Sequence, residues 1–186
     1  MTLLKTTRIS VGLCLSMALS AGCLKEEYPK TELFTWKAKV DVTSKATLSV
    51  NVENGAGASG GEGSLKVIDN DINTKFLLNP YVNTMYMQLS FAAPQQVASY
   101  TLTSGGDAPG RDPKDWKLSG SIDGTTWVDL DTKTGETFSA RTMTKTYNFK
   151  NDILYRYYRM SITAVSSGSL FQLAEWRLIE VPTEFQ

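Results

Sequence analysis

Histidine is absent from the 186-residue chain, and cysteine occurs only twice, as Cys14 and Cys23. The first absence excludes Ser-His-Asp and Cys-His catalysis within this chain, along with every imidazole-based metal site. Net charge is missing too. The 19 basic and 19 acidic side chains cancel, so no bulk positive field points to nucleic acid. Long apolar runs are lacking: Ile9 to Leu19 is mostly apolar and small, but falls short of the roughly 20 residues that a spanning helix needs. No stretch has a convincing apolar stripe at helical spacing over three turns. What remains is a chain with 41% hydrophobic residues, enough for one domain with a sizeable core.

Lys5 and Arg8 give the N-terminus a short positive region, and Leu19-Ser20-Ala21-Gly22 leads from the apolar stretch into Cys23. A buried N-terminal helix is the competing reading, but no polar face or cap is present. The run resembles a bacterial lipoprotein signal, with Cys23 as the lipidated first residue of the mature chain. The leucine stands one place earlier than in the tightest form of that motif, as the laxer Bacteroidetes versions tolerate. Leu24-Lys25-Glu26-Glu27 resembles the surface-export tag of Bacteroidetes lipoproteins, with an ordinary charged linker as the alternative. The resemblance implies a signal peptide over 1–22, a lipidated tether over 23–34, and a lipid anchor in an outer membrane, facing the cell exterior. Cys14 then leaves with the signal, so the folded part has neither a free thiol nor a disulfide. The remainder is slightly acidic, because Lys5 and Arg8 are lost without any acid.

From about Thr35 to Val181 the apolar period is two, and residues 182–186 form a tail. Leu48, Val50 and Val52 alternate with polar residues, and Met85, Met87, Leu89 and Phe91 mark one face of a second strand. Trp116, Leu118 and Ile122 line a third. Met143, Tyr147 and Phe149, then Tyr158, Met160, Ile162 and Ala164, then Trp176 and Leu178 continue the series. Turn signals separate them: the glycine-rich Asn54 to Ser64, Ala93-Pro94, Ser104 to Pro113, Asp123-Gly124 and Ser166 to Ser169. This pattern predicts an all-β sandwich or small barrel. The glycine-rich stretch fits no Walker or dinucleotide fingerprint and reads as a flexible loop.

Three segments go further. They are Lys66 to Phe76, then Arg111 to Trp127 with its W-x-L-x-G-S-x-D-G-x-x-W pattern, then Tyr155 to Ile162 closing with Leu173 to Leu178. Together, over about residues 45–180, they resemble the discoidin or coagulation-factor type C domain, whose superfamily includes the family 32 carbohydrate-binding modules. The resemblance implies an eight-stranded antiparallel jelly-roll β-sandwich, galactose-binding-domain-like, with ligands bound by end loops. Asp123-Gly124 suits a tight hairpin turn. Trp116 and Trp127 flank it at the strand phase that points inward, so both read as core.

Asp69-Asn70-Asp71 and Thr74 cluster oxygen atoms of the kind that Ca²⁺ takes, six to eight at a time. An Asx turn, with Asp69 accepting from backbone amides, is the alternative. EF-hand spacing is not met. The resemblance implies one structural calcium held by Asp69, Asp71, Thr74, the Lys66 carbonyl and Glu175.

The family's ligand loops correspond to Phe76 to Thr84, Ser104 to Asp115 and Ala164 to Phe171. Arg111 matches a family arginine that bonds sugar hydroxyls. Tyr81, Asn79 and Asp107 fall within plausible reach, and Phe171 lies close to a family stacking aromatic. Arg111 can equally clamp its own loop through Asp112, and Phe171, in phase with Leu173, can pack inward. Galactose-binding members usually contribute a histidine, which this chain lacks. The expected function is a non-catalytic cell-surface module that captures glycans. The alternative is a protein-binding or structural accessory subunit with a surface protein partner. An enzyme working with two carboxylates is the weakest of the three.

Overall fold

The structure, a computed structural model, describes residues 38–181; the expected lipoprotein signal and tether, with Cys23, and the expected tail lie outside them. In chain order the strands are β1 (Val40–Asp41), β2 (Ala46–Val50), β3 (Phe76–Leu78), β4 (Tyr86–Gln95), β5 (Val97–Thr103) and β6 (Pro113–Ser121). They continue as β7 (Val128–Lys133), β8 (Thr144–Asn148), β9 (Tyr155–Val165), β10 (Phe171–Leu173) and β11 (Glu175–Glu180). No α-helix occurs among the described residues. One sheet has the order β1-β11-β5-β8, the other β2-β4-β9-β6-β7, and β3 pairs with β10. Every pairing is antiparallel. The eight expected strands are β2, β4 to β9 and β11; β1, β3 and β10 are short additions of two or three residues. The fold is an all-β antiparallel jelly roll.

The alternation read from the sequence becomes the core. Met87, Leu89 and Phe91 of β4, Trp116 and Leu118 of β6, and Tyr158, Met160 and Ile162 of β9 are all buried. Tyr100 and Leu102 of β5 join them, with Trp176 and Leu178 of β11. Burying each such aliphatic side chain contributes about 1.5–3 kcal/mol. Trp116 and Tyr100 satisfy their polar atoms in one chain of bonds, whereas the buried Trp176 Nε1 has no hydrogen-bond partner. Trp116 Nε1 donates to the Tyr100 hydroxyl at 2.8 Å, and that hydroxyl donates to Asp131 Oδ2 at 2.8 Å.

Several expectations are corrected. Ile122 is 66% exposed, because β6 ends at Ser121 and the chain turns away. Ala164 is only half-buried and Val165 takes the inward place, since the β6–β9 register shifts around Asp115. Trp127 leaves the core altogether: its ring lies on the surface, 3.9 Å from the Arg159 guanidinium, which also lies 4.0 Å from the Tyr86 ring. The turn before it is longer than a two-residue hairpin. Gly124 supplies the left-handed backbone (φ 78°), while Asp123 acts through its side chain, accepting the amides of Thr125 and Thr126 at 2.8 Å. Residues 54–64 form consecutive backbone-bonded turns rather than a loose loop. Gly63 is obligatory there, because a Cβ would lie 2.2 Å from the Gly57 carbonyl oxygen.

Strand registers divide the sandwich into two ends. Val40 pairs with Glu180 and Glu180 with Val97, so the chain enters the fold and leaves it at one end. The loops after β3, β5 and β9 gather at the other. There, Tyr81 N donates to Ser169 O at 2.7 Å, Ser167 N to Gly110 O at 2.7 Å, and Ser166 N to Asp112 O at 2.9 Å.

Candidate ligand and cation site

At the loop end, a 3₁₀ turn over Ser64–Ile68 delivers the chain into Asp69. Asn70 adopts a left-handed backbone with φ 65°, a conformation that asparagine tolerates better than most residues. The chain therefore folds back on Asp69: Asp71 N donates to Asp69 Oδ1 at 3.1 Å, and the Thr74 hydroxyl donates to Asp69 Oδ2 at 2.8 Å. This is the Asx turn anticipated as the alternative to a metal loop. Lys66 Nζ stands 3.3 Å from Asp69 Oδ2.

Glu175, at the start of β11, reaches the same loop across the sequence. It is 3% exposed, and its Oε1 accepts the Asp71 amide at 2.9 Å. Its buried Oε2 has no hydrogen-bond partner, although Arg177 Nε makes an ion pair with it at 2.8 Å. Burial pushes the Glu175 carboxyl up to about 7; Arg177 opposes the rise and the adjacent Asp69 carboxylate adds to it. Burial acts on Asp69 in the same direction, but the Thr74 hydroxyl, the Asp71 amide and Lys66 outweigh it and hold that carboxyl below its ordinary value. Two like charges thus meet where one is desolvated, an arrangement that a divalent cation relieves. The Asp71 carboxylate turns elsewhere: its Oδ1 accepts from Asn73 N and Nδ2, each at 2.9 Å. Among the described residues, no three acids converge on one point. A cation here would draw on Asp69, Glu175 and neutral oxygens.

Beside this loop opens a cleft of about 350 Å³, lined by Gly61, Glu62, Asn73, Thr74, Lys75, Gly106 and Asp107. Lys75 Nζ lies 2.5 Å from Asp107 Oδ2 and 3.6 Å from Glu62 Oε1. Arg111 Nη1 approaches the same Asp107 oxygen at 3.7 Å. Lys75, through its hydrogen bond first and its charge as well, holds the Asp107 carboxyl below its ordinary value, with Arg111 adding to the effect. Lys75, Glu62 and Asp107 therefore line the opening, and Arg111 stands beside it through Asp107; each keeps an accessible edge.

Of the expected ligand residues, Arg111 and Asp107 come together. Asn79 is exposed on the loop that Tyr81 fastens to Ser169. Tyr81 is half-buried and its hydroxyl donates to Ile162 O at 3.0 Å, so its polar tip is committed to the scaffold. Phe171 is fully buried and meets Phe76 edge-on at 5.9 Å; it fills the core and offers no platform. The clamp considered for Arg111 is also corrected. Asp112 pairs with Arg141 instead, through Nη1 at 2.9 Å and a second, shorter bond from Nη2. Sequence reading missed Lys75, Glu62 and Arg141. Lys75 directly follows the acid loop, which is the one signal that could have found it.

A family model described as the F5/8 type C domain matches residues 45–176. Among curated proteins, an Arabidopsis thaliana peptide-N(4)-(N-acetyl-beta-glucosaminyl)asparagine amidase is 40% identical over 95 residues. That match covers 48% of this chain and 12% of the amidase; the chain thus spans about an eighth of that relative's length. Among solved structures, the chain is similar to the Clostridium perfringens module CpGH89CBM32-5, in complex with GalNAc-β-1,3-galactose. There the TM-score is 0.64 and identity 15%, over 76% of this chain and 100% of the module. The family 32 module of C. perfringens NanJ, in complex with galactose, gives a TM-score of 0.62 at 16% identity, covering 77% and 100% of the two chains. An F5/8 type C domain from Bacteroides fragilis gives 0.61 at 15% identity, covering 76% and 96%.

Proposed function

We propose that this chain, which belongs to the F5/8 type C domain family, is a non-catalytic carbohydrate-binding lipoprotein displayed on an outer membrane. The observation that carries the reading is the Lys75–Asp107–Arg111 array, in which Lys75 and Asp107 line the loop-end cleft and Arg111 joins them through Asp107. Sugar hydroxyls are donors and acceptors at once. An ammonium, a guanidinium and a carboxylate within reach of each other match that with charge-assisted hydrogen bonds. The similar modules whose structures hold GalNAc-β-1,3-galactose and galactose support carbohydrate as the ligand class. With no histidine in the chain, and with Phe171 in the core, recognition rests on these charged groups more than on an aromatic platform.

Calcium deepens the same reading. Glu175 Oε2, which accepts no hydrogen bond and meets only the Arg177 ion pair, and its neighbouring Asp69 carboxylate fit a hard cation. Asp69 and Glu175 would hold it, together with oxygens of Lys66, Asp71 and Thr74. When bound, it neutralises the two carboxylates and ties β11 to the loop that lines the cleft. The anchor rests on the N-terminal run that ends in Cys23.

A broad glycan array and affinity gels test the proposal with the wild-type chain, Arg111→Ala and Lys75→Ala. A charge-assisted bond contributes about 1.5–3 kcal/mol, so each variant is expected to lose roughly tenfold or more in retention. Binding to no glycan, with co-purification of an outer-membrane protein, would instead establish the accessory-subunit alternative. Turnover of a glycan by the purified chain would overturn the non-catalytic assignment.

A further inference from the structure

Among the described residues, seven large hydrophobic side chains are exposed. Leu65 and Ile72 belong to the acid-loop region, but the other five share the opposite end. They are Val40 (43% exposed), Ile122 (66%), Val128 (50%), Ile153 (44%) and Leu154 (54%). The registers bring them there. Ser121 pairs with Tyr157 and Gly120 with Tyr158 and Val128, so Ile122 and Val128 lie where β9 begins. Ile153 and Leu154 immediately precede that strand. Asn151, two residues before Ile153, donates to Val97 O at 2.8 Å, and Val97 and Val40 both pair with Glu180. One end of the sandwich therefore carries the chain entry and these apolar side chains. The cleft, the Asp69–Glu175 pair and Arg111 occupy the other.

Single exposed apolar residues are ordinary, but five of the seven at one end make that end of the sandwich the more apolar of the two. Where the remaining chain leads identifies the partner. Residues 23–37 connect Cys23 to the described fold and can reach at most about 50 Å when fully extended. The segment joins at the apolar end, not at the cleft. We infer that, in the anchored protein, this end faces the lipid surface. Ile122, Val128, Ile153 and Leu154 would touch the bilayer interface, and the cleft with Arg111 would point away from it. The inference rests on the lipid-anchor reading. It extends that reading by assigning an orientation and a contact surface, through which apolar side chains add to the hold of the acyl chains.

The test uses the full-length lipoprotein, processed in cells, purified in detergent and reconstituted into vesicles of phosphatidylethanolamine and phosphatidylglycerol. With Cys14 removed and Cys23 acylated, a single introduced thiol can be labelled uniquely. An environment-sensitive fluorophore is placed through Ile122→Cys, through Leu154→Cys and, at the loop end, through Asn83→Cys. Brominated lipid then reports contact. The expected result is quenching several-fold stronger at positions 122 and 154 than at 83. Equal quenching at all three, or stronger quenching at 83, overturns the orientation. Protein that fails to float with the vesicles, or that carries no lipid on Cys23, refutes the anchor on which the inference depends, an outcome distinct from a wrong orientation.

Discussion

Arg141 grips the carboxylate of Asp112 with both arms of its guanidinium, although Asp112 precedes β6 and Arg141 precedes β8. The Asp112 side chain is 2% exposed and that of Arg141 25%. Arg141 also donates to Gly105 O at 3.2 Å, so one side chain spans the loop that carries Asp107 and Arg111. Asp112 is thus committed to Arg141, and Arg111 pairs with Asp107 instead.

Removing one partner of such a pair strands the other charge. Arg141→Ala is expected to destabilise the domain by about 3 kcal/mol, since a desolvated carboxylate loses its counter-ion. Urea unfolding measures this directly. A loss below about 1 kcal/mol would show that water replaces the guanidinium without penalty.

Calcium is expected to raise the melting temperature of chelator-treated protein. A ligand at a hundredfold excess over its Kd adds about 2.7 kcal/mol. Glu175→Gln removes one of the two facing carboxylates, so it is expected to lose the calcium response; it also takes the counter-ion from Arg177, so the shift on adding calcium is read within each variant rather than from the chelated baselines. A melting temperature indifferent to calcium in the wild-type chain refutes the cation site.

The two tryptophans of the central motif are expected to part company. Trp116→Ala empties a fully buried position and is expected to cost about 3–5 kcal/mol. Trp127→Ala loses a surface stack on Arg159, which contributes about 0.5–2 kcal/mol. Parallel denaturant titrations compare them, and equal losses would mean that Trp127 has core-like packing.

Acid is expected to weaken the β6–β7 turn. The backbone amides of Thr126 and Thr125 hold the Asp123 carboxyl well below its ordinary value. The unfolded chain therefore takes up that proton first as pH falls. The stabilisation is complete above the unfolded value of about 4 and is lost progressively below it. Asp123→Asn keeps the acceptor oxygen without titrating, and is expected to flatten this part of the acid profile in denaturant unfolding between about pH 6 and pH 2.5. An unchanged profile would assign the acid sensitivity to other carboxylates.

Some of this was legible in one dimension. Alternation placed Met87, Leu89 and Phe91, and likewise Tyr158, Met160 and Ile162, on inward faces, because β side chains alternate with a period of two. β5 escaped that reading: Val97, Ala98, Ser99 and Tyr100 are buried in succession, which leaves no alternation to see. Trp127 misled because strand phase was carried past Ser121, where the strand stops. Phe171 misled because proximity to a family position says nothing of which way a ring points.

Local pattern alone determined the strand rhythm, the Asp123-Gly124 turn, the acid loop at Asp69 and the motif around Trp116, since each depends on neighbours a few residues away. It also supplied everything read about Cys23. Tertiary structure decided which charges meet: Lys75 with Asp107, 32 residues on; the Asp71 amide with Glu175, 104 residues on; and Arg141 with Asp112. Those meetings follow from which strands become neighbours and in what register, and that is set by burying the shared core rather than by any local preference. The missing histidine, which at first only excluded chemistry, thus leaves a cleft whose charged groups, the Lys75 ammonium and the Glu62 and Asp107 carboxylates, no single stretch of sequence contains together.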